Sequence, residues 1–209
     1  MRRAFGVVTA LALAACAPRL APLTGAPAPA ALPRAVLPPG SRQVVFEWQL
    51  EDPDFTGKGD GVARVTAPDS ARLDFFIAGG MASGAAILIG DSLAVPGPDV
   101  IKRLVPPPPL LWASLGRLSV PALADTVVRV DGPTLRADIG QPVAWRATFR
   151  GDTLERLEHV RHGRVSEWLA RVDATHVRYR NEESRRQLDL TVRRSEPIPD
   201  FDASIWRLP

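Results

Sequence analysis

Residues 41–50 read SRQVVFEWQL, and their alternation decides the fold. Val44, Phe46, Trp48 and Leu50 fall on one side of an extended chain, with Gln43, Glu47 and Gln49 on the other. A period of two is that of a strand with one apolar and one wet face. The rhythm recurs downstream. Leu73, Phe75 and Ile77 alternate with Arg72 and Asp74; Val143, Trp145, Ala147 and Phe149 alternate with Arg146, Thr148 and Arg150; Leu188, Leu190 and Val192 alternate with Gln187, Asp189 and Thr191. Further strands are predicted at 60–66, 83–90, 126–131, 134–139, 153–160, 164–172 and 175–180. Turn chemistry separates them: Gly57-Lys58-Gly59-Asp60-Gly61, Pro68-Asp69, Gly90-Asp91, Asp131-Gly132-Pro133, Gly151-Asp152 and His162-Gly163. The expected class is therefore mainly β. About eleven antiparallel strands, each apolar on one face, must curl into a half-open, incomplete barrel.

One stretch breaks the alternation. Residues 97–118 (GPDVIKRLVPPPPLLWASLGRL) place Val100, Ile101, Leu104 and Val105 at helical spacing, with Pro98 at the first helical position. After Pro106–Pro109 come Leu110, Leu111, Leu115 and Leu118, with Gly116 able to stop the turn. Two short amphipathic helices joined by a stiff proline run need an apolar partner, and the concave face of the sheet is the only large one. The expectation is a lid over an apolar hollow.

The start of the chain speaks to compartment. Met1-Arg2-Arg3 precedes an uncharged apolar run from Ala4 to Ala15, the size of a signal h-region and too short to span a bilayer. The run ends in Leu13-Ala14-Ala15-Cys16, and Cys16 is the only cysteine among 209 residues. An ordinary secretory signal would have no use for that cysteine. The segment resembles a bacterial lipobox, which implies acylation of Cys16 and a membrane anchor of two or three chains. Ala17 in place of an Asp after the cysteine implies sorting to the outer membrane. Residues 17–40, with seven Pro and seven Ala, read as an extended tether outside the fold. The boundaries are thus a signal over 1–16, a tether over 17–40 and one domain over 41–209.

Composition narrows the partners. The formal charge of +3 falls to +1 without Arg2 and Arg3, and Asp and Glu are interleaved with arginine throughout. That excludes the clustered positive charge of a nucleic-acid binder. A single cysteine excludes a disulfide framework or an internal thiolate zinc site. No metal and no cofactor is expected. His159 and His162 are predicted on opposite faces of a strand and turn, and His176 stands apart from them. Arg185-Arg186 and Arg193-Arg194 read as solvated faces balanced by Glu182, Glu183 and Asp189, or as contacts to anionic head groups.

The sheet, the insert and the anchored N-terminus together resemble the Lol-type fold of the periplasmic lipoprotein carrier and the outer-membrane lipoprotein receptor. The residues that carry the likeness are Gly59-Asp60-Gly61-Val62-Ala63-Arg64-Val65, Pro68-Asp69-Ser70-Ala71-Arg72-Leu73, Ala78-Gly79-Gly80-Met81, and Pro109-Leu110-Leu111-Trp112 leading into Leu115-Gly116. It spans about residues 41–195. The resemblance implies an apolar interior that receives acyl chains of a lipoprotein or lipid, and a membrane contact at the position of Met81. Candidates to line such an interior are Phe46, Trp48, Phe75, Ile77, Trp145 and Phe149 from the sheet and Leu104, Leu111, Trp112 and Leu115 from the lid, with Trp112 as gate. Each is equally readable as packed core. Residues 196–209 end in Phe201, Ile205, Trp206 and Leu208, a tail that packs on the barrel or is offered to an envelope partner.

An enzyme reading competes. Gly90-Asp91-Ser92-Leu93 follows an apolar strand, as in GDSL-type esterases, and Asp173-Ala174-Thr175-His176 spells the acid and base that such a serine needs. Against it stand the single asparagine, Asn181, where that family needs another block before the histidine, and the lack of βα units between residues 93 and 172. The expected function is therefore non-enzymatic: acyl-chain binding in the cell envelope, or, with a filled interior, docking to a partner protein.

Overall fold

A computed structural model describes residues 19–77, 83–121 and 125–207. Among these described residues thirteen strands form a single sheet in which every neighbouring pair is antiparallel. In chain order they are β1 (Ala26–Ala28), β2 (Ser41–Glu51), β3 (Thr56–Thr66), β4 (Ser70–Ile77), β5 (Ser83–Ile89), β6 (Ser92–Ala94), β7 (Thr126–Asp131), β8 (Thr134–Ile139), β9 (Trp145–Arg150), β10 (Thr153–Arg161), β11 (Arg164–Arg171), β12 (His176–Asn181) and β13 (Arg186–Ile198). Their spatial order is β1-β7-β8-β9-β10-β11-β12-β13-β2-β3-β4-β5-β6. The sheet is not closed, and its two edges are β1 and β6. The eleven predicted strands are all present, and the mainly β, half-open class stands.

This order explains the helical insert. After β6 the chain stands at one edge of the sheet, and it must re-enter at β7, beside the other edge. The connection carries α1 (Asp99–Arg103) and α2 (Pro108–Ser114) across the concave face. Pro107 and Pro108 sit at the N-terminus of α2, where an absent N–H costs nothing. At its other end Gly116 N–H donates to the Ala113 carbonyl and Arg117 N–H to that of Trp112, both at 3.0 Å. With Gly116 at φ +87° this is a Schellman stop.

Two readings are corrected. The Gly57–Gly61 stretch is not a turn but the first half of β3, paired residue for residue with β2. A Cβ on Gly61 would lie 2.2 Å from the Phe46 ring, and one on Gly59 2.8 Å from Trp48 and 1.9 Å from the Phe76 carbonyl oxygen. Without side chains at these glycines the aromatic rings of β2 can approach the β3 backbone closely. The second correction concerns residues 19–40, expected to stand clear of the domain. Arg19 bridges to Arg164, Leu20 N–H donates to the Gly163 carbonyl at 3.0 Å, and β1 adds a strand to β7. Ala35 and Leu37 are buried in the core, and the Ala35 carbonyl accepts from Leu118 N–H at 2.9 Å. Proline makes a segment extended but does not decide whether it is free. Here its alanines and leucines find apolar surface beside the end of α2.

Among the described residues no helix is long and apolar enough to cross a membrane. The tail ends in a short 3-10 turn (Ala203–Trp206), where Phe201 and Trp206 pack edge to face and the Ile205 carbonyl accepts from Arg72.

Candidate functional site

The concave face is built by register. Val44, Ala63 and Leu73 lie opposite one another on β2, β3 and β4, Trp48 and Leu190 on β2 and β13, and Val177 and Leu190 on β12 and β13. Into this face the lid presses Ile101, Leu104, Leu110, Leu111 and Trp112, all essentially without exposure. Trp112 Nε1–H donates to the Gly90 carbonyl at 2.8 Å, which pins α2 to the turn after β5. α1 is held at its C-terminal end by Arg103, which pairs with Asp52 at 3.3 Å.

The candidate lining residues are therefore brought together, but as a filled interior. Phe46, Trp48, Phe75, Leu104, Leu111, Trp112, Trp145 and Phe149 are buried, and Ile77 and Leu115 are half-buried against the same core. Phe46 and Phe75 meet edge to face at 5.8 Å. Among the described residues, a small apolar cleft lies in this interior between Ser114 and Leu115 at the end of α2 and strand residues that include Val44, Phe46, Val177, Leu190 and Val192, with a volume of about 30 Å³. That is room for about one or two water molecules, not for an acyl chain.

A larger recess, about 600 Å³, lies elsewhere and is polar; Glu47, Lys58, Asp60, His176, Arg178 and Asp189 line it. Its charges are largely matched within the surface: Arg193 pairs with Glu47, and His176 and Arg178 both donate to Asp189 Oδ1, at 2.6 and 2.8 Å. Such a saddle is a stabilised wet face of the sheet.

The sequence reading missed a polar cluster inside the apolar face. Glu167 is buried on β11 and receives hydrogen bonds from Tyr179 Oη at 2.9 Å and His159 Nδ1 at 3.2 Å, while the His159 ring stacks on Trp145 at 4.3 Å. The signal was available, because Glu167, Leu169 and Arg171 share one side of β11, as do Val177 and Tyr179 on β12. Burial raises the Glu167 carboxyl, but the bonds from His159 and Tyr179 outweigh it and leave the group below its ordinary value of 4.5. For Tyr179, burial and then the Glu167 charge push the hydroxyl well above its ordinary 10.0. Glu167 thus adds stability above its unfolded value that is lost as pH falls through its folded one. Tyr179 adds stability below pH 10 that is lost as pH rises further. A Tyr179→Phe variant is expected to lose about 1–3 kcal/mol at neutral pH, because a buried carboxylate is left short of a donor. Urea midpoints should show that deficit shrinking below pH 4.5 as Glu167 protonates, and the alkaline loss above pH 10 should vanish.

The esterase set is not assembled. Ser92 lies on the edge strand β6, six positions from β12 in the sheet order. Asp173 accepts from the backbone N–H of Thr175 and His176, holding its own turn, and the His176 ring is bonded to Asp189 instead. Among the described residues no three His, Cys, Asp or Glu side chains are placed to share a metal ion. His162 has positive φ at the tip of the β10–β11 turn. Cys16, Met81 and Leu208 lie outside the described residues.

No family model matches the chain. Nor does any curated protein. Solved structures do. A LolA superfamily protein from Nitrosomonas europaea superposes with a TM-score of 0.53 at 12% identity, over 84% of this chain and 93% of that one. A domain described as an outer membrane lipoprotein-sorting protein, from Vibrio parahaemolyticus, superposes with a TM-score of 0.54 at 8% identity, over 80% and 89%. At such identities the likeness is one of backbone alone. With the open antiparallel sheet and the edge-to-edge helical crossover, it establishes that the chain has a Lol-type fold.

Proposed function

We propose that this is a lipid-anchored envelope protein, acylated at Cys16 and held on the periplasmic face of the outer membrane, that binds an acyl chain of a lipoprotein or lipid beneath its two-helix lid. The apolar cleft beside Leu115 carries the reading. It marks the seam along which α2 separates from the concave face, and apart from Ser114 its walls are hydrocarbon. The named role of the Vibrio parahaemolyticus domain supports the same direction.

The described state is then the closed, unloaded form. Lifting α2 alone would expose Leu110, Leu111 and Trp112, at roughly 5–9 kcal/mol for the three, so a freely open form would be rare. An incoming chain must replace the lid side chains as they leave, trading one apolar contact for another. Phe46, Trp48, Phe75, Ile77, Trp145 and Phe149 would form the floor and Leu104, Leu111, Trp112 and Leu115 the moving roof. Met81 would touch the membrane or the client.

The filled interior favours a second reading: an assembly protein that uses this fold as a docking surface for an envelope partner. Native mass spectrometry followed by lipid extraction separates the two. The acyl reading expects bound chains on protein taken from membranes, released together with a shift of the protein mass. Protein that carries no chain even when offered an excess of fatty acid would leave the docking reading standing.

A further inference from the structure

Two arginines lie close to residues at the end of α2 that adjoin the apolar cleft. Arg171 lies opposite Val177 in the β11–β12 register, so both side chains share the concave face, and Val177 lines the cleft. Its Nη2 comes within 3.9 Å of the position a Cβ on Gly116 would take, next to Leu115 on the opposite wall. Arg117, one residue further on, stacks over the Trp112 ring at 4.6 Å. Arg117 Nη1 and Arg171 Nε are both buried, and neither has a hydrogen-bond partner among the described residues. Neither arginine enters an ion pair there either, although most arginines of the sheet do.

A buried N–H without an acceptor is costly, and guanidinium cannot escape by losing its proton. Its planar fork matches a carboxylate or a phosphate. A largely hydrocarbon seam with two guanidinium groups nearby, each carrying a buried N–H without an acceptor among the described residues, is complementary to one kind of molecule. We infer that, once α2 lifts, this seam takes an amphiphile with an anionic head, the chain lying between Leu115 and the strand residues and the head held by Arg117 and Arg171. This rests on the acyl-binding reading above and adds the charge of the ligand to it. A plain diacylglyceryl group has no such charge, so the inference separates ligands of equal chain length. The head could be the carboxylate of a free fatty acid or the phosphate of a lipid, which share this chemistry.

Calorimetric titration of the full chain with decanoate, decanol and inorganic phosphate tests it. Decanoate is expected to bind at least tenfold more tightly than decanol, and phosphate not measurably. Arg117→Gln and Arg171→Gln should each reduce the preference, and the double variant should abolish it. Equal binding of decanoate and decanol by the unaltered protein overturns the inference without reference to any variant. So does a preference that survives in the folded double variant, or phosphate binding as tight as that of decanoate. Failure of both decanoate and decanol to bind would instead remove the acyl reading itself.

Discussion

Trp112→Ala is expected to destabilise the domain by about 3–5 kcal/mol, the range for deleting a fully buried large aromatic. In a domain of this size that lowers Tm by about 6–20 °C. Trp112 has no exposure, and its indole N–H is the bond that ties α2 to the Gly90 carbonyl. Truncation therefore does two things: it opens a cavity beneath the lid and leaves a carbonyl without its donor. Trp112→Phe keeps most of the ring and removes only the bond, so about 1 kcal/mol is expected from it. Calorimetry of both variants separates packing from hydrogen bonding. A shift of less than 1–2 °C for the alanine variant, on the order of measurement scatter against the expected drop, would mean that Trp112 is not the keystone of the closed lid. If the lid moves to admit a chain, the alanine variant should also retain more bound acyl species than the parent protein, because its closed form is worth less.

The second large effect is expected in β3. Gly59→Ala places a methyl group 1.9 Å from the Phe76 carbonyl oxygen, and backbone on the neighbouring strand cannot swing aside as a side chain can. The cost should reach or exceed the upper end of the usual overpacking range of about 1–3 kcal/mol. Gly61→Ala meets the Phe46 ring instead, at 2.2 Å. That clash is with a side chain, so Phe46→Leu in the same molecule should recover part of the loss. No change at Trp48 should rescue Gly59→Ala. Urea unfolding of the two singles and the Gly61/Phe46 pair checks the contrast. Equal, equally rescuable losses at both glycines would contradict the pairing of β3 with β2 and β4.

These glycines also show how far local pattern reaches. Read alone, Gly57-Lys58-Gly59-Asp60-Gly61 has the composition of a turn. Only the neighbouring strand, which brings Phe46 and Trp48 across it, shows why Gly61 and Gly59 must lack side chains, and Gly57 leaves room for the Phe55 ring. The same holds for Ala35 and Leu37: a Pro-Ala segment is extended on its own merits, and whether it is free depends on apolar surface supplied by residues some eighty positions away. β6 escaped notice because three residues are too few for a period to show. Ser92, Asp173 and His176 had the right chemistry in the right order, yet six strand positions separate the first from the last.

What the order of residues determined by itself is the local geometry. Alternation set the strands and their apolar faces, Gly-Asp and His-Gly pairs set the turns, and the proline-flanked run at helical spacing set the two lid helices. All of these depend on contacts within a few residues, where side-chain period and backbone preference act directly. Tertiary structure alone decided that the open edges are β1 and β6, that residues 19–40 join the sheet and core, that the interior is filled by Trp112 and its neighbours, and that Arg117 and Arg171 come near a largely hydrocarbon seam. Those are matters of volume and of charge brought together from distant positions, and neither quantity exists until the sheet has curled.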